Sequence, residues 1–143
     1  MRLLLFRKTI FAVILFVSFI PAYCQPKLTP FFRLEESAVI RANDIVDKDW
    51  STFPWHEDYG VGIYYPDSLK LRFFDGNEKQ FYIYDWKKEG NTWFSKVTNS
   101  KGIKFWLYMA FLPNAPGKLY IFVFDEDHIG LAYRCGYNTD LIK

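Results

Sequence analysis

The C-terminal part of the chain alternates between apolar runs and polar breaks in a way that indicates strands rather than helices. The segment from Gly102 to Cys135 is rich in aromatic and β-branched side chains, which suit the pleated surface of a sheet. Two short turn-forming segments, Pro113–Gly117 and Asp125–His128, interrupt it. Because a parallel crossover needs about a dozen residues or more, links of this length predict antiparallel neighbours.

The same pattern continues towards the N-terminus. Strong turn-forming pairs such as Asp75-Gly76 and Gly90-Asn91 separate further apolar runs. The predicted strands are Val61–Tyr65, Leu69–Phe74, Gln80–Trp86, Thr92–Thr98, Lys104–Leu112, Lys118–Phe124 and Ile129–Cys135. A spacing of about ten residues per strand is typical of antiparallel sandwiches and barrels. We therefore predict an all-β fold, an antiparallel meander of about seven strands that is barrel-like or sandwich-like.

The region before these strands is ambiguous. Apolar residues between Phe31 and Trp50 recur at helical spacing, but Val39 to Ile45 also alternate as a strand would. We favour one short N-terminal helix here. The following segment, Lys48–Gly60, combines turn residues with aromatic side chains, so we expect it to cap one end of the sheet or to line its mouth.

The two faces of the predicted sheet differ in character, because residues two apart on a strand share a face. One face collects mostly aliphatic residues, namely Leu69, Leu71, Ile83, Leu107, Leu119, Ile121, Val123, Ile129 and Leu131. The other collects aromatic residues, namely Tyr64, Tyr82, Tyr84, Trp86, Trp93, Trp106, Tyr108, Tyr120, Phe122 and Phe124. A register slip of one residue would reverse this assignment in the affected strand. We predict that the aliphatic face is the core and that the aromatic face is either a covered outer wall or a binding surface.

The chain begins with the three-part pattern of a secretory signal peptide, a basic lead followed by an apolar run and a cleavage region. The apolar run Thr9 to Ile20 is shorter than the ~20 residues that a membrane-spanning helix needs. Cleavage is predicted between Cys24 and Gln25, so we expect an exported protein that is periplasmic, on the cell surface or secreted. A retained anchor and a lipoprotein with a lipid on Cys24 are alternatives, although the bulky Tyr23 disfavours the second.

Cleavage would leave residues 25–143 as a single antiparallel β domain. Without Arg2, Arg7 and Lys8, the remaining 15 basic and 16 acidic residues give a net charge of −1. This balance disfavours nucleic acid or an anionic membrane as the main partner, and we expect no stable membrane span after cleavage. Cys135 is then the single cysteine, so an intramolecular disulfide is excluded. We expect a buried thiol, with an intermolecular disulfide as the alternative.

Few residues suggest catalysis or metal binding. The sequence has no nucleophile elbow, phosphate-binding glycine loop, zinc-protease helix or paired cysteines. His56 and His128 lie beside carboxylates, but neither has the spacing of metal ligands. We therefore expect a protein without cofactor or metal and without enzymatic activity. An enzyme would gain support only if both histidines and the acids near them converged in a cleft.

The aromatic residues suggest binding, because Tyr and Trp combine a large apolar area with a polar tip. One hypothesis is a small binding protein whose sheet curls around an apolar or amphipathic small ligand, an architecture that resembles lipocalin-like barrels. The alternative is an interaction module that docks its aromatic face on a partner protein or a glycan. The candidate ligand-binding residues are Trp86, Trp93, Trp106, Tyr108, Tyr120 and Phe122.

Overall fold

The computed structural model describes residues 25–28 and 30–138, so the predicted signal peptide lies outside the described residues. The described residues form one sheet of nine strands in which every pairing is antiparallel. The strands are β1 (Phe31–Arg41), β2 (His56–Tyr65), β3 (Ser68–Phe73), β4 (Glu78–Ile83), β5 (Lys87–Glu89), β6 (Thr92–Asn99), β7 (Lys104–Phe111), β8 (Lys118–Phe124) and β9 (Ile129–Gly136). The predicted all-β antiparallel class is confirmed.

The sheet closes on itself through a pairing between β4 and β6. Among the described residues, eight strands form the ring in the order β1-β2-β3-β4-β6-β7-β8-β9, and β9 pairs back with β1. The short β5 pairs with β6 beside this ring. Because neighbours in the ring follow one another along the chain apart from β5, the fold is an up-and-down β-barrel with one extra strand.

All seven predicted strands are present, but the helix predicted after Phe31 is wrong. Phe31–Arg41 is β1, and helical structure follows it only in α1 (Asp44–Asp47) and a 3₁₀ turn (Trp50–Thr52) within the described residues. A β-bulge between Leu34 and Glu36 explains the misleading spacing. The bulge shifts the inward positions by one, so Leu34 and Ala38 lie on opposite sides of the barrel wall. Their separation of four residues imitates a helical repeat.

The predicted aliphatic face lies in the barrel interior, where buried aromatic rings such as Phe73 and Phe81 accompany it. Of the nine aliphatic residues, seven are buried inside the barrel, and Leu131 packs against them. Ile129 differs, because it lies at the start of β9 and is 48% exposed. Cys135 is also fully buried inside, as a free thiol, and burial raises its pKa well above the ordinary value.

The aromatic face divides between the two sides of the wall. Tyr120, Phe122 and Phe124 are buried on the outside of β8, beneath the segment that joins β1 to β2. Tyr64 and Trp93 point inward instead, because each pairs in register with an inward residue of the next strand. The predicted assignment is therefore wrong for these two strands by the one-residue slip that strand periodicity permits.

Two glycines allow close approach between strands. A Cβ atom added at Gly130 would overlap the backbone carbonyl oxygen of Val123 on β8. A Cβ atom added at Gly62 would overlap the ring of Phe32, which lies across the strand from it. The Phe32 ring and the Val123 carbonyl oxygen thus occupy the space in which any residue other than glycine would place its Cβ atom.

Replacing Gly130 with alanine is expected to destabilise the barrel by about 1–3 kcal/mol, because the β8 backbone must move to admit the methyl group. Gly136→Ala is the matched control on the same strand, where the methyl group would meet only the flexible ends of the Glu35 and Arg33 side chains. We expect a loss below about 0.5 kcal/mol there. Urea unfolding measures both, and equal losses would contradict the steric explanation.

Candidate functional site

A cavity of about 520 Å³ opens at one end of the barrel, where β1 ends and β9 begins. We call it the mouth cavity. Apolar side chains from five strands line it, namely Val39, Phe81, Phe105, Val123 and Leu131. Deeper in the barrel, Leu71, Leu107 and Met109 have no exposed surface, so the interior beyond the cavity is filled.

The opposite end of the barrel is closed by Tyr64 and Trp86, whose ring centroids are 6.4 Å apart. The hydroxyl of Tyr64 donates a hydrogen bond of 2.9 Å to the carbonyl oxygen of Pro26. The indole Nε1 of Trp86 donates one of 2.9 Å to the carbonyl oxygen of Pro66. Both side chains are buried and both polar tips are bonded to backbone, so side chains fill the interior at this end.

A lysine and a tyrosine form a polar pair on the wall of the mouth cavity. Lys79 lies on the inner face of β4, two residues before Phe81, and pairs in register with the inward residue Leu71. Its Nζ donates a hydrogen bond of 3.0 Å to the hydroxyl of Tyr133 on β9. Burial lowers the pKa of the Lys79 ammonium, and the negative charge of Asp58 partly offsets that shift.

A second polar group lies on the same inner surface, beside Tyr133. Ser37 is the register partner of Tyr133, and its hydroxyl donates a hydrogen bond of 2.8 Å to Asp58 Oδ2. His56 Nε2 lies 3.1 Å from the same hydroxyl oxygen. Because the single Ser37 proton is given to the carboxylate, the contact with His56 is a hydrogen bond in the tautomer that carries a proton on Nε2.

This Ser37, His56 and Asp58 group differs from a nucleophilic triad, in which the histidine must accept the serine proton. The second histidine, His128, lies in the β8–β9 turn with a φ of 61° and accepts the Ala42 backbone N–H through its carbonyl oxygen. Among the described residues, no three His, Cys, Asp or Glu side chains are grouped so as to hold a metal ion.

The acidic residues that line the mouth cavity are engaged elsewhere. Glu78 forms ion pairs with Arg72 at 3.0 Å and with Lys70 at 3.5 Å on the outer surface. Asp125 Oδ1 accepts the backbone N–H groups of residues 127 and 129, which stabilises the β8–β9 turn. The two rim carboxylates therefore bind basic side chains on the outer surface and backbone N–H groups of a turn.

Of the six predicted site residues, four lie together on the outer wall, namely Trp106, Tyr108, Tyr120 and Phe122. Trp50 covers two of them, with its ring centroid 5.2 Å from that of Tyr120 and 5.0 Å from that of Phe122. The aromatic loop predicted to cap an end thus packs on the side of the barrel instead. Lys96 lies 4.9 Å from the ring of Trp106.

The other two predicted site residues, Trp86 and Trp93, pack in or against the interior core. Trp93 meets Phe111 edge to face at 5.3 Å, and its Nε1 is buried without a hydrogen-bond partner in the described part of the chain. None of the six lines the mouth cavity. The structure therefore places the predicted residues in two separate regions.

Lys79, Tyr133 and Ser37 are the residues that sequence reasoning missed. The signal for Lys79 was present in the strand period, because Lys79, Phe81 and Ile83 alternate on one face. The predicted strand began at Gln80, one residue too late to include it. Ser37 carried no comparable signal, since the β1 bulge brings it inward.

No protein-family model matches the chain, and comparisons with curated proteins and with solved structures found no match. Within the residues that the structure describes, no helix has the length and apolar character needed to cross a membrane. A function for this chain must therefore be argued from the geometry of the barrel.

Lys79 is expected to titrate below the ordinary lysine pKa of 10.5, and Asp58→Asn is expected to lower its pKa further by removing the charge that favours the ammonium. Since folding favours the neutral amine, the destabilising contribution is present at neutral pH and is relieved as the pH rises towards 10.5. NMR of ¹³C-labelled lysine side chains measures the pKa directly. Asp125→Asn is the control, and a rise in the Lys79 pKa in Asp58→Asn would contradict this account.

Proposed function

We propose that this chain is a small-ligand-binding protein that takes an apolar or amphipathic molecule into the mouth of its barrel. The observation that carries the proposal is the mouth cavity, about 520 Å³ in volume. It is lined by apolar side chains from five strands, by the Lys79–Tyr133 pair and by further polar residues such as Gln80 and Asn99. Sites for small molecules have volumes of about 300–1,000 Å³ and combine apolar walls with a few placed polar groups. Barrels of about eight strands are wide enough to hold one such ligand.

The architecture also supports a carrier rather than a channel. At the far end the buried Tyr64 and Trp86 are bonded to backbone, and fully buried side chains such as Leu107 and Met109 fill the interior between that end and the cavity. A ligand would enter and leave by the same opening. The signal-peptide pattern supports an exported carrier.

A neutral polarity-sensitive dye tests this proposal on residues 25–143. We expect saturable binding near one dye per chain and a melting temperature that rises with dye concentration, because the ligand binds only the folded state. Leu131→Trp would fill the mouth cavity and is expected to weaken the dye at least about tenfold. Val61→Trp places the same ring on the outer face of β2, facing Arg33 and Arg72 in register, and should leave binding unchanged.

Absence of saturable binding by a cooperatively folding protein would overturn the proposal. Equal affinity of the wild type and Leu131→Trp would likewise show that the mouth cavity is not the site.

An outer groove of about 400 Å³ favours the second candidate, docking on a partner protein or a glycan. Trp106, Lys96 and Tyr84 line it, and Tyr84 is 71% exposed. Aromatic rings of this kind stack on sugars and anchor protein interfaces. Trp106→Ala separates the two candidates, because it removes the groove and leaves the mouth cavity intact. Loss of dye binding in Trp106→Ala alone would favour the outer groove.

A further inference from the structure

The mouth cavity contains a charge that an apolar ligand does not need. The strand period of β4 requires an inward side chain at residue 79, and the neighbouring inward positions hold Phe81 and Ile83. A methionine or leucine there would continue the apolar surface of the core, whereas even partial burial of an ammonium group, as at the half-buried Lys79, is unfavourable. The position of Lys79 therefore points to the ligand rather than to the fold.

The ammonium of Lys79 keeps donors available towards the cavity. It has three N–H donors and no acceptor, and one N–H is used on the Tyr133 hydroxyl. In the described part of the chain, no carboxylate forms a salt bridge with it. The Tyr133 hydroxyl accepts from Lys79, so its own proton remains to be donated. Burial raises the pKa of Tyr133, which keeps that proton in place.

The acids near Lys79 have hydrogen-bond or ion-pair partners of their own. Asp58 on β2 is the acid that acts on Lys79, but its Oδ2 is already bonded to Ser37. The rim carboxylates of Glu78 and Asp125 are bound to outer-surface cations and to backbone N–H groups, as described above. A second lysine, Lys101 in the β6–β7 turn, also lines the cavity. The cavity thus presents cationic and hydroxyl donors beside apolar walls.

We propose that Lys79 and the Tyr133 hydroxyl bind the anionic headgroup of an amphipathic ligand, a carboxylate or a comparable group of single negative charge. The Lys79 ammonium and the Tyr133 hydroxyl each donate to one oxygen of the headgroup. The apolar part of the ligand lies against Phe81, Val123 and Leu131. This inference rests on the proposed function, since it names the class of ligand for the same cavity.

Two ligands with the same alkyl chain test the inference by displacement of the neutral dye. Dodecanoate and dodecanol are compared below the concentrations at which they aggregate, with dodecylammonium as the charge-reversed probe. We expect the wild type to bind dodecanoate at least about tenfold more tightly than dodecanol, the size of one charge-assisted hydrogen bond. Dodecylammonium should bind most weakly.

Lys79→Met keeps the length and apolar stem of the side chain and removes its charge. Dodecanoate binding is expected to weaken at least about tenfold, while dodecanol binding stays within about twofold of the wild type. Tyr133→Phe should weaken dodecanoate by a smaller factor, because it removes one neutral donor. Lys101→Met is the matched control, and we expect it to retain the preference for dodecanoate.

Equal affinity of dodecanoate and dodecanol for the wild type would overturn the inference while leaving the proposed function intact. A loss of both ligands in Lys79→Met would also overturn it, because the side chain would then shape the cavity rather than bind a charge. A loss of preference in Lys101→Met as large as that in Lys79→Met would show a diffuse field at the mouth instead of a headgroup site. If neither the dye nor any alkyl ligand binds the folded wild type, the proposed function fails as well.

Discussion

The pairing of β4 with β6 is the constraint on which the rest of the structure depends. Its seam is short, three residue pairs from Phe81↔Asn99 to Ile83↔Val97. Without this seam, an open sheet with apolar residues on both faces would present two free edges. Closure turns one face into an enclosed core and leaves the apolar outer wall of β7, β8 and β9 to be covered by the segment that contains Trp50 and Trp55.

The polar groups inside the barrel differ between its two ends. At the far end from the mouth cavity, the hydroxyl of Tyr64 and the indole N–H of Trp86 donate to backbone carbonyl oxygens, so neither donor is available to a ligand. At the open end, Ser37 and Asp58 satisfy each other, whereas Lys79 and Tyr133 keep donors beside empty volume. Lys79 is half-buried and its charge has no ion-pair partner among the described residues, so its place beside a cavity is informative.

The sequence was sufficient for the local parts of this fold and insufficient for the non-local ones. Turn residues and strand periods located seven strands, because both signals depend on neighbouring residues. The bulge after Leu34 disguised β1, and closure depended on β4 meeting β6 across the intervening β5. The candidate site was missed for a related reason. Aromatic residues are frequent in strands whatever their role, whereas Lys79 becomes conspicuous only once its neighbours are known to face inward.

The order of strands in the ring also bears on how the chain acquires its structure. β1 pairs with β9 from Arg33↔Gly136 to Arg41↔Ile129. The first strand of the barrel therefore cannot complete its pairing before the last strand is present. Contacts between such distant segments form slowly, because a long loop must close before they contribute. During synthesis, β1 therefore keeps an unpaired edge until β9 has emerged. An unpaired strand edge of this kind is a site at which a nascent chain can associate with other chains before the barrel closes.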